Sequence, residues 1–442
     1  MMKKNFAHFL LLLLLFNLKS NAQNIIPKPN DIKLTEGKFS FVKGLDIKII
    51  RGDEGTKIVN QQINDYFKRN KIPVIGSSSS VITINLLKEN TITNDGYELN
   101  ITPNTVTIVS SSNAGLFYGM QSLLQLINAD TLKTLACMQI KDAPAFAYRG
   151  FQLDACHHFF KMDVIKQQLD AISKLKLNRF IWTLSNEQTW RIESKKNPKL
   201  LDSMDIADSE FYTQDEIKQI VQYAKERFII VIPELNFTSS SFLDDTAFQY
   251  KKNVMDEVLS LFPSTYIAIG NQSFYAKDAE TYLKTKGRKI IHTDNSSSKD
   301  DIILSYKNTT LGINAAKKGN DVIMAPHNLT ALDNYQDWDD SKQSKSMLFL
   351  PLDKVYSFNP LAKIKDDKIM QHIIGATATL DTKFVTNEGK LSNQLYPRIY
   401  ALAECFWTKN ANKKNFKEFN ARLEKIGYPG QITEKINLVK FK

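Results

Sequence analysis

Two side-chain amides stand where a short apolar run meets a polar turn: Tyr266-Ile267-Ala268-Ile269, then Gly270, then Asn271 and Gln272. Two carboxylates at such a junction would read as acid/base chemistry, one donating a proton while the other steadies developing charge. Amides do not ionise near neutral pH, so Asn271 and Gln272 can hold a ligand but cannot trade protons with it. Other polar residues follow short apolar runs in the same way: Asp154, Asn186-Glu187, Asn236, Asp294-Asn295, Tyr306, His327 and Asp381 to Lys383. Any single Asn among them is explained by the preference of Asn for turns. Amides after three successive runs are harder to explain so. Metal chemistry is not suggested, because CxxC, HExxH and acidic calcium-loop patterns are absent and His157 and His158, as neighbours on an extended chain, would face opposite ways. No cofactor is expected.

The elements that must position these residues change rhythm near residue 144. Before it, "DIKII" (46–50), "VITINL" (81–86), "GYELNI" (96–101) and "TVTIVSS" (105–111) read as strands, and Ile58 to Asn70 and Ala114 to Ile127 as amphipathic helices. Strand pairs with helices on one face predict a small α+β domain over 23–143. After it, eight short apolar runs alternate with helical stretches: 149–154, 178–184, 229–235, 266–270, 288–293, 302–306, 321–325 and 375–380. Helices are expected at Met162–Lys174, Asp215–Arg227 and Gln394–Phe406. Repeated strand–helix units over 144–442 predict a (β/α)8 TIM barrel, in which functional groups follow the C-terminal ends of the strands. An open doubly wound sheet is the alternative, but it would favour a Gly-rich first turn that is missing here.

The chain has 442 residues, 43% hydrophobic and 24% charged, which suits a globular protein of two or three domains. Residues 1–22 stand apart. Lys3 and Lys4 precede Phe9-Leu10-Leu11-Leu12-Leu13-Leu14-Leu15-Phe16, and Ser20-Asn21-Ala22 supplies small residues before Gln23. This is the pattern of a secretory signal peptide, too short in its apolar run for a membrane span. Cleavage is expected after Ala22, giving an exported protein, periplasmic or extracellular, without a spanning segment. The formal charge is +11, and removing the leader's Lys3, Lys4 and Lys19 leaves +8. Those lysines are scattered, without the basic-aromatic interleaving of a nucleic-acid surface, so no nucleic-acid partner is expected. Cys137, Cys156 and Cys405 allow at most one disulfide and leave one thiol free.

The order of these segments resembles the β-N-acetylhexosaminidases of glycoside hydrolase family 20. "IIPKPNDIKLTEGKFSF" and "GYELNITPNTVTIVSSSNAGLFYGMQSLLQL" are similar to the family's N-terminal domain. "YRGFQLDACHHFFKMDVIKQQLDAISKLKLNRFIWTLSNEQTW" resembles the opening of its barrel, and "LGINAAKKGNDVIMAP", "LPLDKVYSF" and "YPRIYALAECFW" resemble later segments. The resemblance implies substrate-assisted retention, in which the sugar's acetamido oxygen attacks the anomeric carbon. In that scheme a Glu donates the leaving-group proton and the preceding Asp stabilises the acetamido group. The family's Gly-Gly-Asp-Glu reads here Ile269-Gly270-Asn271-Gln272, so the acid's position holds Gln272 and the stabiliser's Asn271.

Further departures follow the same comparison. A sugar-contacting Asp matches Asn186, a Trp-Asp-Glu matches Thr293-Asp294-Asn295, the acetamido-binding Tyr matches Ala331, and a Trp-Thr-Glu matches Asp381-Thr382-Lys383. The Pro-Glu-Ile-Asp-Met-Pro-Gly-His stretch matches Pro233 to Ser240, with Ser240 for His. The resemblance implies that Arg149 grips ring hydroxyls and that Asp154, Asn186, Asp294, Tyr306, Asp333 and Lys383 face the substrate. The segment from Gln272 to Arg288 is short, which predicts a reduced fourth helix. Three readings stay open. A pseudoglycosidase could hold a glycan or protein ligand at the barrel's C-terminal face. An active β-N-acetylhexosaminidase would release terminal N-acetylhexosamine. A different hydrolase would use Glu187, Asp294 or Asp333.

Overall fold

A computed structural model describes residues 24–429 except 77, 88–91, 94, 130–132, 187–188, 199–209, 237–247, 271–275, 297, 337–347 and 414. The expected leader, Asn271, Gln272, Glu187 and Ser240 therefore lie outside the described residues.

The chain divides into two compact units. The first is built on a six-stranded mixed sheet, ordered β1-β6-β4-β5-β3-β2. Its strands are β1 (Asp31–Ser40), β2 (Asp46–Arg51), β3 (Val81–Leu86), β4 (Tyr97–Ile101), β5 (Thr105–Ser110) and β6 (Thr134–Asp142). Strands β2, β3 and β5 run parallel, while β5, β4, β6 and β1 pair antiparallel. Alternation in β4 and β5 sends Tyr97, Leu99, Ile101, Val106 and Ile108 into the core. Helices α1 (Glu54–Arg69) and α2 (Asn113–Ala129) belong to this unit. Asp53 starts α1 with a capping box, its carboxylate accepting the Thr56 N–H while the Thr56 hydroxyl accepts the Asp53 N–H.

The first unit also takes the C-terminal residues from Ala403 onward, together with Lys174–Lys176. The expected boundary assigned 144–442 to the barrel, whereas this compact unit takes the end of the chain. The cause is a set of buried polar bonds. Arg422 donates to both carboxylate oxygens of Glu404, at 2.8 and 2.6 Å, and to the Ile25 carbonyl. The Trp407 indole, the Tyr97 hydroxyl and the Lys176 ammonium all converge on Asp142 Oδ2. Buried charges need such partners, and these tie the last helix, Phe416–Ile426, into the N-terminal unit.

The second unit is a closed barrel of eight parallel strands. They are β7 (Tyr148–Asp154), β8 (Arg179–Thr183), β9 (Ile230–Leu235), β10 (Tyr266–Ile269), β11 (Lys289–Thr293), β12 (Ile302–Ser305), β13 (Val322–Met324) and β14 (Ile373–Leu380). Each falls on one of the eight runs predicted from the sequence, and β14 pairs with β7 to close the ring. Ile181, Ile232, Ala268, Ile291, Ile302, Leu304 and Ile323 pack into one buried cluster, the filled interior expected of such a barrel. Helices α3 (Met162–Lys174), α4 (Gln214–Lys225), α5 (Phe248–Leu261) and α6 (Ala276–Thr285) follow β7 to β10 in turn, and α7 (Thr309–Lys317) follows β12. Helix α6, the fourth barrel helix, has ten residues and is short, as the sequence suggested. The helix expected over Gln394–Phe406 is two, Glu388–Leu395 and Arg398–Trp407, because Pro397 cannot continue the first. Among the described residues no helix is long and apolar enough to cross a membrane.

Candidate functional site

The ends of six barrel strands and the loops after them line a cavity of about 260 Å³. It is lined by Gln152, Asp154 and His157 from β7 and its loop, Thr183 and Asn186 after β8, and Glu234 from β9. Thr293, Leu304, Tyr306 and Thr379 to Asp381 complete the wall. These positions follow from parallel registry. Asp154 pairs with Thr183 and Thr183 with Glu234, so three C-terminal strand ends lie level at the mouth.

Asp154 is the most heavily held carboxylate. Its Oδ1 accepts the Cys156 N–H at 2.7 Å, and its Oδ2 accepts from the Thr382 N–H and hydroxyl at 3.3 and 3.1 Å. The His157 ring nitrogen Nδ1 lies 2.5 Å from the same oxygen. Burial opposes its charge, but the His157 contact and these N–H donors outweigh that and hold the carboxyl below the usual aspartate range. The bond to Asp154 in turn raises His157, whose Nδ1 also lies 3.4 Å from Asp381. His158 faces another way and packs edge-on against Phe160 at 4.8 Å, so the two histidines do not converge.

Glu234 accepts from the Gln152 amide at 2.7 Å and from the Thr183 hydroxyl. Burial pushes its carboxyl up, against the lowering effect of those two donors. Beside Tyr306 lie Asp333 and Asp381, with Asp333 Oδ1 accepting the Asp381 N–H at 3.4 Å. Burial first, then the Asp381 charge, raises the Asp333 carboxyl to about 6. Burial and those carboxylates hold the Tyr306 phenol above its ordinary range. Each of these carboxylates is committed to neighbouring donors, which makes them the pocket's framework rather than a free pair flanking a sugar bond.

The expected site residues separate into groups. Asp154, Asn186 and Tyr306 line the cavity, and Thr293 lies where the family comparison places a Trp. Asn186 also builds its own turn, its side-chain oxygen accepting the Thr189 N–H at 2.8 Å. Asp294 is a correction. It sits at φ 61°, and its Oδ1 accepts the Tyr306 and Lys307 N–H groups at 2.7 and 2.8 Å, so that oxygen clamps the chain after β12 instead of facing the cavity. Lys383 is exposed, with its ammonium 5.8 Å from the Phe384 ring centre, outside the cavity lining. Ala331 is buried and bridges to Thr379.

Arg149 is the second correction. It stands near the start of β7, five residues before Asp154 and so at the opposite end of the strand from the mouth. Its guanidinium is buried and donates to the Phe146 and Ala147 carbonyls at 2.8 and 3.3 Å. It braces the base of the barrel. The basic group at the mouth on this strand is His157, which the sequence reading passed over because it was weighed only as half of a metal chelate. Gln152, Thr183 and Glu234 were also missed, since they lie inside the strands rather than after them. Alternation along β7 from Asp154 to Gln152 was the signal that could have found the first of these. Cys137, Cys156 and Cys405 are all buried free thiols, so the single allowed bridge does not form.

A model of the glycosyl hydrolase family 20 catalytic domain matches residues 146–242 and 271–410, and a model of the family's domain 2 matches residues 22–143. The chain belongs to glycosyl hydrolase family 20. Among curated relatives, a beta-hexosaminidase of Porphyromonas gingivalis is 31% identical over 91% of this chain and 62% of its own length. A beta-hexosaminidase of Vibrio furnissii is 27% identical over 86% of this chain and 76% of its own. The family 20 chain thus spans less than two thirds of the first relative. A Streptomyces plicatus beta-hexosaminidase gives a TM-score of 0.81 at 21% identity, covering 91% of this chain and 94% of that one. A family 20 exo-β-N-acetylglucosaminidase of Vibrio harveyi gives 0.79 at 23%, covering 91% and 76%. At those identities the likeness concerns the fold.

Proposed function

We propose that this family 20 chain is an exported pseudoglycosidase, a hexosaminidase framework that holds a glycan or protein ligand at the barrel mouth without hydrolysing it. The observation that carries the proposal is Asn271-Gln272 directly after Gly270, the residue that follows β10, the fourth barrel strand. In the family comparison those positions belong to the stabilising Asp and the proton-donating Glu. Loss of a general acid costs about 10²–10⁴ in rate, and loss of an electrostatic partner roughly 10²–10³ more. The lining of the cavity supports the same reading. Thr293 offers no aromatic face to a sugar ring, and a buried Ala331 offers no hydroxyl to an acetamido oxygen.

The alternative, an active β-N-acetylhexosaminidase, has the names of the relatives in its favour. It lacks a proton donor at the position where the family places one. A hydrolase built on Asp294 is disfavoured because that carboxylate already serves two backbone N–H groups. The deciding experiment uses the exported protein, whose mass should match a chain beginning at Gln23. It is incubated with the nitrophenyl β-N-acetylglucosaminide, and no nitrophenol above a blank is expected. Turnover near 1 s⁻¹, inside the ordinary enzyme range, would overturn the proposal.

A further inference from the structure

One buried histidine has no role in the cavity. Its neighbours on β11 face the barrel axis, Ile291 within the core cluster and Thr293 at the cavity wall, so His292 points outward toward the helices. It is 1% exposed, and neither ring nitrogen has a hydrogen-bond partner. Buried polar groups are almost always satisfied, which makes this imidazole an anomaly that asks for a ligand.

Two carboxylates stand around it. Asp301 Oδ2 lies 3.4 Å from His292 Nε2, and Glu280 Oε2, on α6, lies 3.6 Å from the same atom. A proton shared with an imidazolium would draw the carboxylates to about 2.7–2.9 Å, and they stand well outside that range. Their separation instead fits the edge of a tetrahedron of ligands around an ion with bonds of about 2.0–2.2 Å, which is roughly 3.3–3.6 Å. The outer contacts also aim the site. Ser296 donates to Asp301 Oδ2 at 2.6 Å, and the Lys284 ammonium holds the other oxygen, Oδ1, at 2.7 Å. Such contacts orient ligands and fix which oxygen faces the ion.

We propose that His292 Nε2, Asp301 Oδ2 and Glu280 Oε2 bind a divalent transition-metal ion of the zinc class, with water as the fourth ligand. The three ligand atoms lie within 4.8 Å of one another. The ion joins α6 to β11 and to the turn before β12, on the outer side of the barrel, and its role is to fasten a short helix, in addition to the Tyr282–Asp256 hydrogen bond. The partly exposed Glu280 gives it a way in. Lys284 already offsets one of the two carboxylates, so the ion meets one net negative charge and an imidazole.

The test uses the full chain, stripped of metal and titrated with Co²⁺ and then Zn²⁺. One equivalent of Co²⁺ should give the visible absorption of a tetrahedral ion, and one equivalent of Zn²⁺ should displace it. His292→Gln should abolish the signal. Glu280→Gln, at the accessible rim where folding is not at stake, should weaken binding at least about tenfold, no less than the loss of an outer contact does. Absence of saturable one-to-one binding would overturn the proposal, as would binding undiminished in Glu280→Gln. Binding lost instead in His157→Ala would place the ion at Asp154, His157 and Asp381 in the cavity and would equally overturn it.

Discussion

Asp333 is a carboxyl that the fold keeps at a disadvantage. Its unfolded-state value near 3.8 rises to about 6 in the protein, mainly through burial and then through Asp381. Below the lower value both states hold the proton and the group contributes nothing. Between the two values the folded state alone keeps it, so stability falls as pH rises, and above about 6 the full penalty is present, up to about 3 kcal/mol. Asp333→Asn retains an oxygen for the Asp381 N–H and removes that penalty. It should stabilise the protein at pH 8 and change little at pH 4 when urea unfolding is followed at both. Equal effects at the two pH values would show that burial of the charge is not the cause. Sequence reading found Asp154, Asn186 and Tyr306 at the mouth because residues just after a strand's end can be counted from the strand. It misplaced Arg149 because a buried arginine bonded to carbonyls and an arginine bonded to a sugar look alike in sequence; their distance from the strand's end tells them apart.

At the scale of elements, the barrel depends on the seam between β14 and β7. A Cβ on Gly375 would lie 1.8 Å from the Tyr148 carbonyl oxygen, and one on Gly150 would lie 2.4 Å from Thr377 Oγ1. The two strands approach so closely that only glycine fits, and the obstacle at Gly375 is backbone rather than a side chain that can turn away. Gly375→Ala should therefore cost about 1–3 kcal/mol or more, seen as a lower denaturant midpoint. A wild-type midpoint would mean that the seam is looser than the packing implies. The eight barrel strands were legible because each is a short apolar run, buried on both faces. Strands β1 and β6 were not read, and β1 shows why: it is exposed along most of its length and carries no clean alternation. Its place comes from pairing with β6 across a bulge between Leu34 and Lys38, a long-range contact that no local pattern announces.

At the scale of the whole molecule, a family 20 framework is present, and the proposal is that the groups which would work a sugar bond have been replaced. The fold was readable from the rhythm of strands and helices. The allocation of residues after Ala403 to the first unit was not, since it rests on Arg422, Glu404 and Trp407 meeting residues near the start of the chain. The pseudoglycosidase proposed above lacks groups throughout its pocket and not only two charges. Asn271→Asp with Gln272→Glu restores the proton donor and the acetamido stabiliser. It leaves Thr293 and Asp381 where the family comparison places aromatic walls, and Ala331 where it places a hydroxyl. A stacking wall and several polar contacts together contribute several kcal/mol, roughly 0.5–1.5 for an aromatic contact and about 1 for each hydrogen bond, and a general acid does not replace them. The decisive measurement is turnover of the nitrophenyl β-N-acetylglucosaminide by this double variant, after its unfolding curve shows a wild-type fold. No release above the blank is expected; robust hydrolysis by that two-residue change alone would show the rest of the pocket to be intact.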